Sequence, residues 1–296
     1  MRSVTTFGKL AFMQRAAAAS CMALLLSGCT LVTQPAGDRK TLRVMSYNIR
    51  LNTPSDGVHA WPRRKEVVAS MVAFHDADLI GLQEALPDQL ADLDALLPQF
   101  ARFGSGRNAD RSGEASAILY RRDRLEVLES DTFWLSPTPA VAGSKGWDAA
   151  YERIVTWGRL RDRRTGKIFH HFNTHLDHVG KEARRQSAAM IVERLQKIPT
   201  SAPVIVTGDF NDVPAGEPYR LMTAGGLADA FETSKTPHQG PASTWNAFKA
   251  IEPGRRIDFV FVRGPVHVLA HAIYPDTFDG RFPSDHLPVL AELRID

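Results

Sequence analysis

The sequence predicts one α/β domain over residues 41–296, with more strand than helix and sheets covered by helices. Three observations carry this. From Thr41 onward, strand-like apolar runs alternate with runs of helical period. The chain has 296 residues, 44% hydrophobic and 23% charged, which is enough to bury a large core. No composition break, internal repeat or low-complexity tract divides it.

Leu42 to Leu51 reads as the first strand, closed by the turn residues Asn52 to Gly57. Pro62 suits a first helical turn, after which Val67, Val68, Met71, Val72 and His75 line one face. Asp78 to Glu84 is a short buried strand that ends in polar residues, and Leu86 to Leu97 is a helix stopped near Pro98. Ala115 to Tyr120, Leu125 to Leu128, Ile154 to Leu160 and Ile168 to Asn173 follow as strands. A hairpin through Arg161 to Gly166 joins the last two. Lys181 to Lys197 is a helix with Ala183, Ser187, Met190, Ile191, Leu195 and Ile198 on one side. Val204 to Asp209, Arg256 to Val262, Val266 to Ile273 and Val289 to Leu293 complete the strands.

The first residues differ in character. Residues 1–28 hold Arg2, Lys9 and Arg15 and no acid. The apolar run from Ala16 to Leu26 is about a dozen residues, too short to cross a bilayer as a helix. A basic start followed by a short apolar stretch describes a secretory signal peptide. Leu26-Ser27-Gly28-Cys29 resembles the lipobox of bacterial lipoproteins, which implies cleavage before Cys29 and lipidation of its thiol. Thr30, where an aspartate would resemble a retention signal, implies the outer rather than the inner membrane of the cell envelope. Residues 29–40 then form the lipidated end and a flexible tether. Both cysteines, Cys21 and Cys29, lie in this region, so a disulfide-dense scaffold is excluded.

The formal net charge of +3 argues against a strongly basic nucleic-acid binder. With the signal, the 36 basic residues lose Arg2, Lys9 and Arg15, leaving 33 against 33 acidic. A neutral mature chain lacks the basic stripe expected of a duplex nuclease. Arg63-Arg64-Lys65, Arg121-Arg122 and Arg161 to Arg164 read as solvated faces. Among the aromatics, Trp157 sits inside a strand and reads as core. Trp147 and Trp245 have Gly/Pro/Ser-rich surroundings suited to flanking a pocket, where they can stack a base or sugar or touch a lipid.

Polar residues gather where strands end, which is where rigid scaffolds place their chemistry. Asn48, Gln83-Glu84, Asn173-Thr174-His175 and Gly208-Asp209-Phe210-Asn211 each close an apolar run. Ser284-Asp285-His286 precedes the last strand, and Asp258 lies between Ile257 and Phe259, where a carboxylate is costly unless paired. Asparagine with glutamate offers the hard oxygen donors that magnesium takes. Aspartate and asparagine two apart can hold one water, and a histidine fixed by a buried aspartate can stay protonated against a phosphate oxygen. Phosphate ester hydrolysis uses these parts.

In this order, the motifs resemble the endonuclease/exonuclease/phosphatase superfamily, which includes DNase I, inositol polyphosphate 5-phosphatases and bacterial sphingomyelinases. The resemblance spans about residues 41–296. It implies a DNase I-like four-layer αββα sandwich with the site where the sheets open, in a hydrolase that uses Mg2+, or Mn2+ in its place. It implies metal ligation by Glu84 with Asn48 and Asp285 beside it. Asp209 would orient and deprotonate the attacking water, with Asn211 fixing it. His286, oriented by Asp258, would contact the scissile phosphate, and His175 another phosphate oxygen. Asp177, His178 and Arg184 extend this pattern as in a bacterial subgroup of the family. One departure stands out: Arg50 replaces an acidic residue of the abasic-site endonucleases. It is either a phosphate clamp or a strand-end residue facing water. The implied substrate is a phosphate ester of a nucleic acid, a lipid headgroup or a sugar, and the implied state is a monomer held to a membrane by its lipid. An extracellular or periplasmic nuclease and a non-catalytic surface lipoprotein that binds a partner are the competing readings.

Overall fold

The alternating apolar runs become two six-stranded sheets in the computed structural model, which describes residues 39–296. The signal peptide, Cys29 and all of the tether before residue 39 lie outside the described residues. The elements in chain order are β1 (Leu42–Asn48), α1 (Lys65–Phe74), β2 (Leu79–Gln83), α2 (Pro87–Leu96), β3 (Phe100–Phe103) and β4 (Ile118–Arg121). Then come β5 (Leu125–Trp134), β6 (Ile154–Asp162), β7 (Ile168–His175), α3 (Lys181–Gln196), β8 (Val204–Asp209) and α4 (Glu217–Ala224). The chain ends with β9 (Ala228–Asp229), α5 (Ala230–Thr233), β10 (Asp258–Arg263), β11 (Val266–Ile273) and β12 (Val289–Ile295). One sheet runs β11-β12-β1-β2-β4-β3 and the other β5-β6-β7-β8-β10-β9.

The two-residue period of a strand sorts its side chains into two cores. In β1, Met45 and Tyr47 pack with Val68 and Val72 of α1 and Leu90 and Leu93 of α2. Val44 points the other way and packs, with Leu79 and Val289, against Leu160, Ile205 and Val260 of the second sheet. On that sheet's outer face Phe172, Val204, Val206 and Phe261 meet Ile191 and Leu195 of α3 and Met222 of α4. Three cores separate four layers, helix on sheet on sheet on helix. Burial on both faces explains why β1, β2, β8 and β10 read as nearly continuous apolar runs.

A polar seam crosses between the sheets. Asn173 donates to Leu82 O (2.7 Å) and Ala117 O (3.1 Å), and its Oδ1 accepts from Gln83 Nε2 (2.8 Å) and Thr207 Oγ1 (3.0 Å). His171 Nε2 lies 2.9 Å from the same threonine, and burial pushes this imidazole down to about 3, so it is neutral. The seam closes over Gly81, where a Cβ would run into Thr207 Oγ1 and Asn173 Oδ1.

Some expectations need correction. β5 continues to Trp134, because its later residues Glu129, Ser130 and Asp131 are exposed and give no apolar signal. β3, β9, α4 and α5 were not legible, being short or weakly patterned. Arg64 and Arg121 are buried rather than solvated. Arg64 donates to Ile49 O, Arg50 O (2.6 Å) and Pro283 O (3.2 Å), joining two strand-end loops, and Arg121 pairs with Asp76 at 3.1 Å. Trp157 is half-buried and stacks on Phe172 at 5.9 Å on the outer face of its sheet. The tightness of the seam sets a test. Gly81→Ala should destabilise the protein by about 1–3 kcal/mol, as overpacked cores do; urea denaturation with an unchanged midpoint would contradict it.

Candidate active site

Strand direction gathers the polar ends. β1 and β2 are parallel, with Asn48 opposite Gln83, and β7 and β8 are parallel, with His175 opposite Asp209. β10 runs antiparallel to β8, so its first residue Asp258 also lies opposite Asp209. The seam and its neighbours therefore bring both sheets' polar ends to one edge. Asn48 Nδ2 donates to Glu84 Oε1 and to Asp209 Oδ2, each at 3.0 Å, while its Oδ1 accepts Arg50 N at 3.0 Å. Ser284 Oγ donates to Asn48 O at 2.7 Å and fixes the segment that carries Asp285 and His286.

Several site residues need unusual backbone. Glu84 (φ 62), Arg50 (φ 54) and Asn211 (φ 49) are left-handed, a region that asparagine tolerates and that costs most other side chains about 1–2 kcal/mol. Asp209 Oδ1 accepts Asn211 N at 2.9 Å, which closes the tight turn of Gly208 to Asn211. Asn211 Nδ2 then reaches Leu176 O and His175 Nε2, both at 2.9 Å. Glu84 Oε2 accepts Leu51 N at 3.0 Å.

The two imidazoles have opposite fates. His286 Nδ1 lies 2.9 Å from Asp258 Oδ2, and its Nε2 is 3.6 Å from Asp209 Oδ2. Burial opposes its charge, but Asp258 and Asp209 outweigh burial and raise the ring to about 10. Burial, reinforced by Arg153 and His286, holds His175 well below the usual imidazole range. Burial, then Asp258, push Asp209 up to about 7, although His286 pulls the other way. Burial also raises Asp285.

Asp209, Asp258 and His286 offer ligand atoms within 4.8 Å of one another, so this group could hold a cation. Its proton-bearing imidazole, bonded to Asp258, makes it a better charge pair than a metal cage. The oxygens of Glu84 and Asp285, both lining the cavity, are the hard donors that magnesium prefers. Asn48 turns its nitrogen to the carboxylates, so in this arrangement it fixes Glu84. Arg50 is partly exposed and is held at the wall of the cavity. Its guanidinium is bidentate to Asp56 (3.0 Å twice), 3.9 Å from Glu84 and 4.0 Å from Asp285. These groups line a cavity of about 360 Å³, with Trp245 edge-on to His286 at 4.8 Å. Trp147 is not among its lining residues.

Residues 45–286 match the model of the Endonuclease/Exonuclease/phosphatase family. The chain belongs to that family. A family structure from Bacteroides vulgatus is 39% identical, covers 87% of this chain and 100% of its own, and superposes with a TM-score of 0.83. A mannosyl-6-phosphatase from Bacteroides thetaiotaomicron is 38% identical, with 85% and 99% covered and a TM-score of 0.81. The uncharacterized protein YbhP of Escherichia coli K12 is 33% identical over 149 residues, 50% of this chain and 55% of its own. The chain thus spans about half the length of the curated relatives that it matches first. The fold is the DNase I-like sandwich of this hydrolase family.

All eight site residues expected within the domain meet at this edge. Asp177 shapes the edge rather than lining it: it accepts Val179 N, Gly180 N and Tyr151 N, and pairs with Arg153 at 3.3 Å. Sequence reasoning missed Arg107, Glu114, Tyr151 and Arg153, which line the cavity from loops and carry no motif spacing. The Asp258–His286 pair gives the test here. In metal-free protein, 15N shifts of His286 should report both ring N–H groups well above the ordinary 6.5, to about 10. Its folded value is raised, so its stabilisation is complete below 6.5 and is lost as pH rises through about 10. Asp258→Asn should return the titration toward neutrality; a wild-type ring titrating near 6.5 would show that the aspartate does not hold the proton.

Proposed function

We propose that this family member is a divalent-metal-dependent phosphoesterase that hydrolyses a phosphate ester by an activated water. One observation carries the reading. The Asn48 amide holds Glu84 and Asp209 together, while Asp258 holds a charged His286 beside Asp209. The cavity thus offers a base, a cation and hard oxygen donors at once. The family match supports the reaction class, and the bacterial neighbour named as a mannosyl-6-phosphatase favours a monoester.

Asp209 is the base. A carboxyl raised to about 7 takes a proton from water far more readily than an ordinary carboxylate. Asn211, held by Asp209 and Leu176 O, keeps that water in line. His286 donates Nε2–H to a non-bridging phosphate oxygen as negative charge builds. The neutral ring of His175 binds a second phosphate oxygen. Glu84 and Asp285 would hold Mg2+, or Mn2+ in its place, and the bound ion would supply charge neutralisation on the phosphate. The attacking oxygen forms the new P–O bond, the ester P–O bond breaks, the leaving oxygen takes a proton from solvent water to depart as the alcohol, and Asp209 returns its proton to solvent.

The sequence also supports a place in the cell. Residues 1–28 serve as a lipoprotein signal, Cys29 carries lipid, and the monomeric domain of residues 41–296 stands off the envelope on residues 29–40. The outer membrane is the favoured address. Cys29→Ser should abolish lipid labelling and membrane retention; unchanged fractionation would refute the anchor.

The reaction is tested with p-nitrophenyl phosphate and bis-p-nitrophenyl phosphate. EDTA should abolish turnover and Mg2+ restore it. Asp209→Ala should cost about 10²- to 10⁴-fold in kcat, the range for a lost general base. Hydrolysis that survives EDTA, or an Asp209→Ala enzyme of undiminished rate, would sink the mechanism.

A further inference from the structure

One wall of the cavity has no part in the chemistry just described. Arg107 Nη2 and Glu114 Oε1 form an ion pair at 2.6 Å, with side chains only 12% and 15% exposed. Both line the cavity, together with Arg153 and Tyr151. The Arg107 guanidinium lies 4.8 Å above the Tyr151 ring. Arg153 Nη2 is 3.1 Å from His178 Nδ1.

The pair is not what closes its own loop. Its loop is closed by main-chain bonds, Arg107 N to Glu114 O at 3.0 Å and Gly106 N to Arg111 O at 2.9 Å. Trp134 Nε1 anchors Arg107 O at 2.6 Å. A nearly buried ion pair loses hydration for little net stability. Among the described residues, the other oxygen of Glu114 accepts no hydrogen bond, and most N–H groups of Arg107 have no acceptor. The pair is also held in place relative to the reaction centre. Ala115, next to Glu114, donates its N–H to Ala85 O at 2.8 Å, and Ala85 follows Glu84.

A carboxylate and a guanidinium side by side match one chemistry well. Each hydroxyl of a polyol is both donor and acceptor, so it can donate to the carboxylate and accept from the guanidinium. The ring of Trp245 lines the same cavity and offers an apolar surface to the C–H face of a sugar. About 360 Å³ stands at the small end of ligand pockets, which suits a single sugar ring with its phosphate. The balanced charge of residues 29–296 offers no stripe for a polynucleotide backbone.

We propose that the substrate is the phosphomonoester of a polyhydroxylated alcohol, a sugar phosphate, and that Arg107 and Glu114 are the specificity residues that read the hydroxyls of its leaving group. The inference rests on the phosphoesterase reading above. Hydrolysis would release the free polyol and inorganic phosphate.

The experiment compares kcat/KM of the purified chain, with Mg2+, on mannose 6-phosphate, glucose 6-phosphate and p-nitrophenyl phosphate, which has no hydroxyl. The wild type should favour a hexose phosphate, and Glu114→Gln and Arg107→Met should each shrink that preference about 10- to 100-fold, as lost charged hydrogen bonds do. Because a variant can misfold, the wild type is also given 2-deoxyglucose 6-phosphate and glycerol phosphate. Each should be poorer than glucose 6-phosphate by about tenfold or more. A hexose phosphate no better than p-nitrophenyl phosphate, or a preference that both variants retain, overturns the substrate class and the pair's role. No turnover of any of these esters overturns the phosphoesterase reading itself, and this inference with it.

Discussion

An amide nitrogen has two hydrogens, and Asn48 gives one to each of two carboxylates carried by different sheets. Glu84 ends β2 in the first sheet, and Asp209 ends β8 in the second. No other described contact at this edge joins a carboxylate of each sheet through one side chain. The constraint is possible only because both sheets present parallel pairs, β1 with β2 and β7 with β8, whose crossovers α1 and α3 lie on the outer faces. Strand direction thus fixes which ends meet. The apolar core between the sheets fixes how far apart they are, and Asn48 fixes their register at the rim.

That rim shows how one side-chain type is sent in two directions. His286 and His175 are both buried, and burial alone would leave both rings neutral. Two carboxylates beside His286 outweigh burial, whereas cations surround His175 and reinforce it. A charged ring and a neutral one therefore stand on either side of Asp209, at 3.6 Å and 3.5 Å. Asp258 makes the difference. It was legible in the sequence because a carboxylate inside an apolar strand needs a partner.

Much of the architecture could be read from strands buried on both faces. Val204 to Asp209 and Val266 to Ile273 have the bounds that their patterns give. The later half of β5 could not be read, because Glu129 to Asp131 face water and the strand shifts register after Val127. The site divides in the same way. Asp209 and Asn211 share one turn, and Asp285 and His286 are adjacent, so motif spacing reveals them. Arg107 and Glu114 stand seven positions apart in an irregular loop, and a hairpin rather than a sequence period brings them together. Arg64 was misjudged for a related reason. A run of three basic residues looks solvated, but Arg64 turns inward to five loop carbonyls.

The left-handed backbone at Arg50 and Glu84 has a consequence beyond geometry. Neither side chain is of a type that enters that region freely, so the fold holds conformational energy at two charged residues that line the cavity. Glycine would relieve it at either position and remove the functional group in doing so. Selection for yield or heat resistance alone would therefore drift toward a sturdier molecule with a less charged cavity. In this chain, robustness and the charge of the cavity pull on the same two residues.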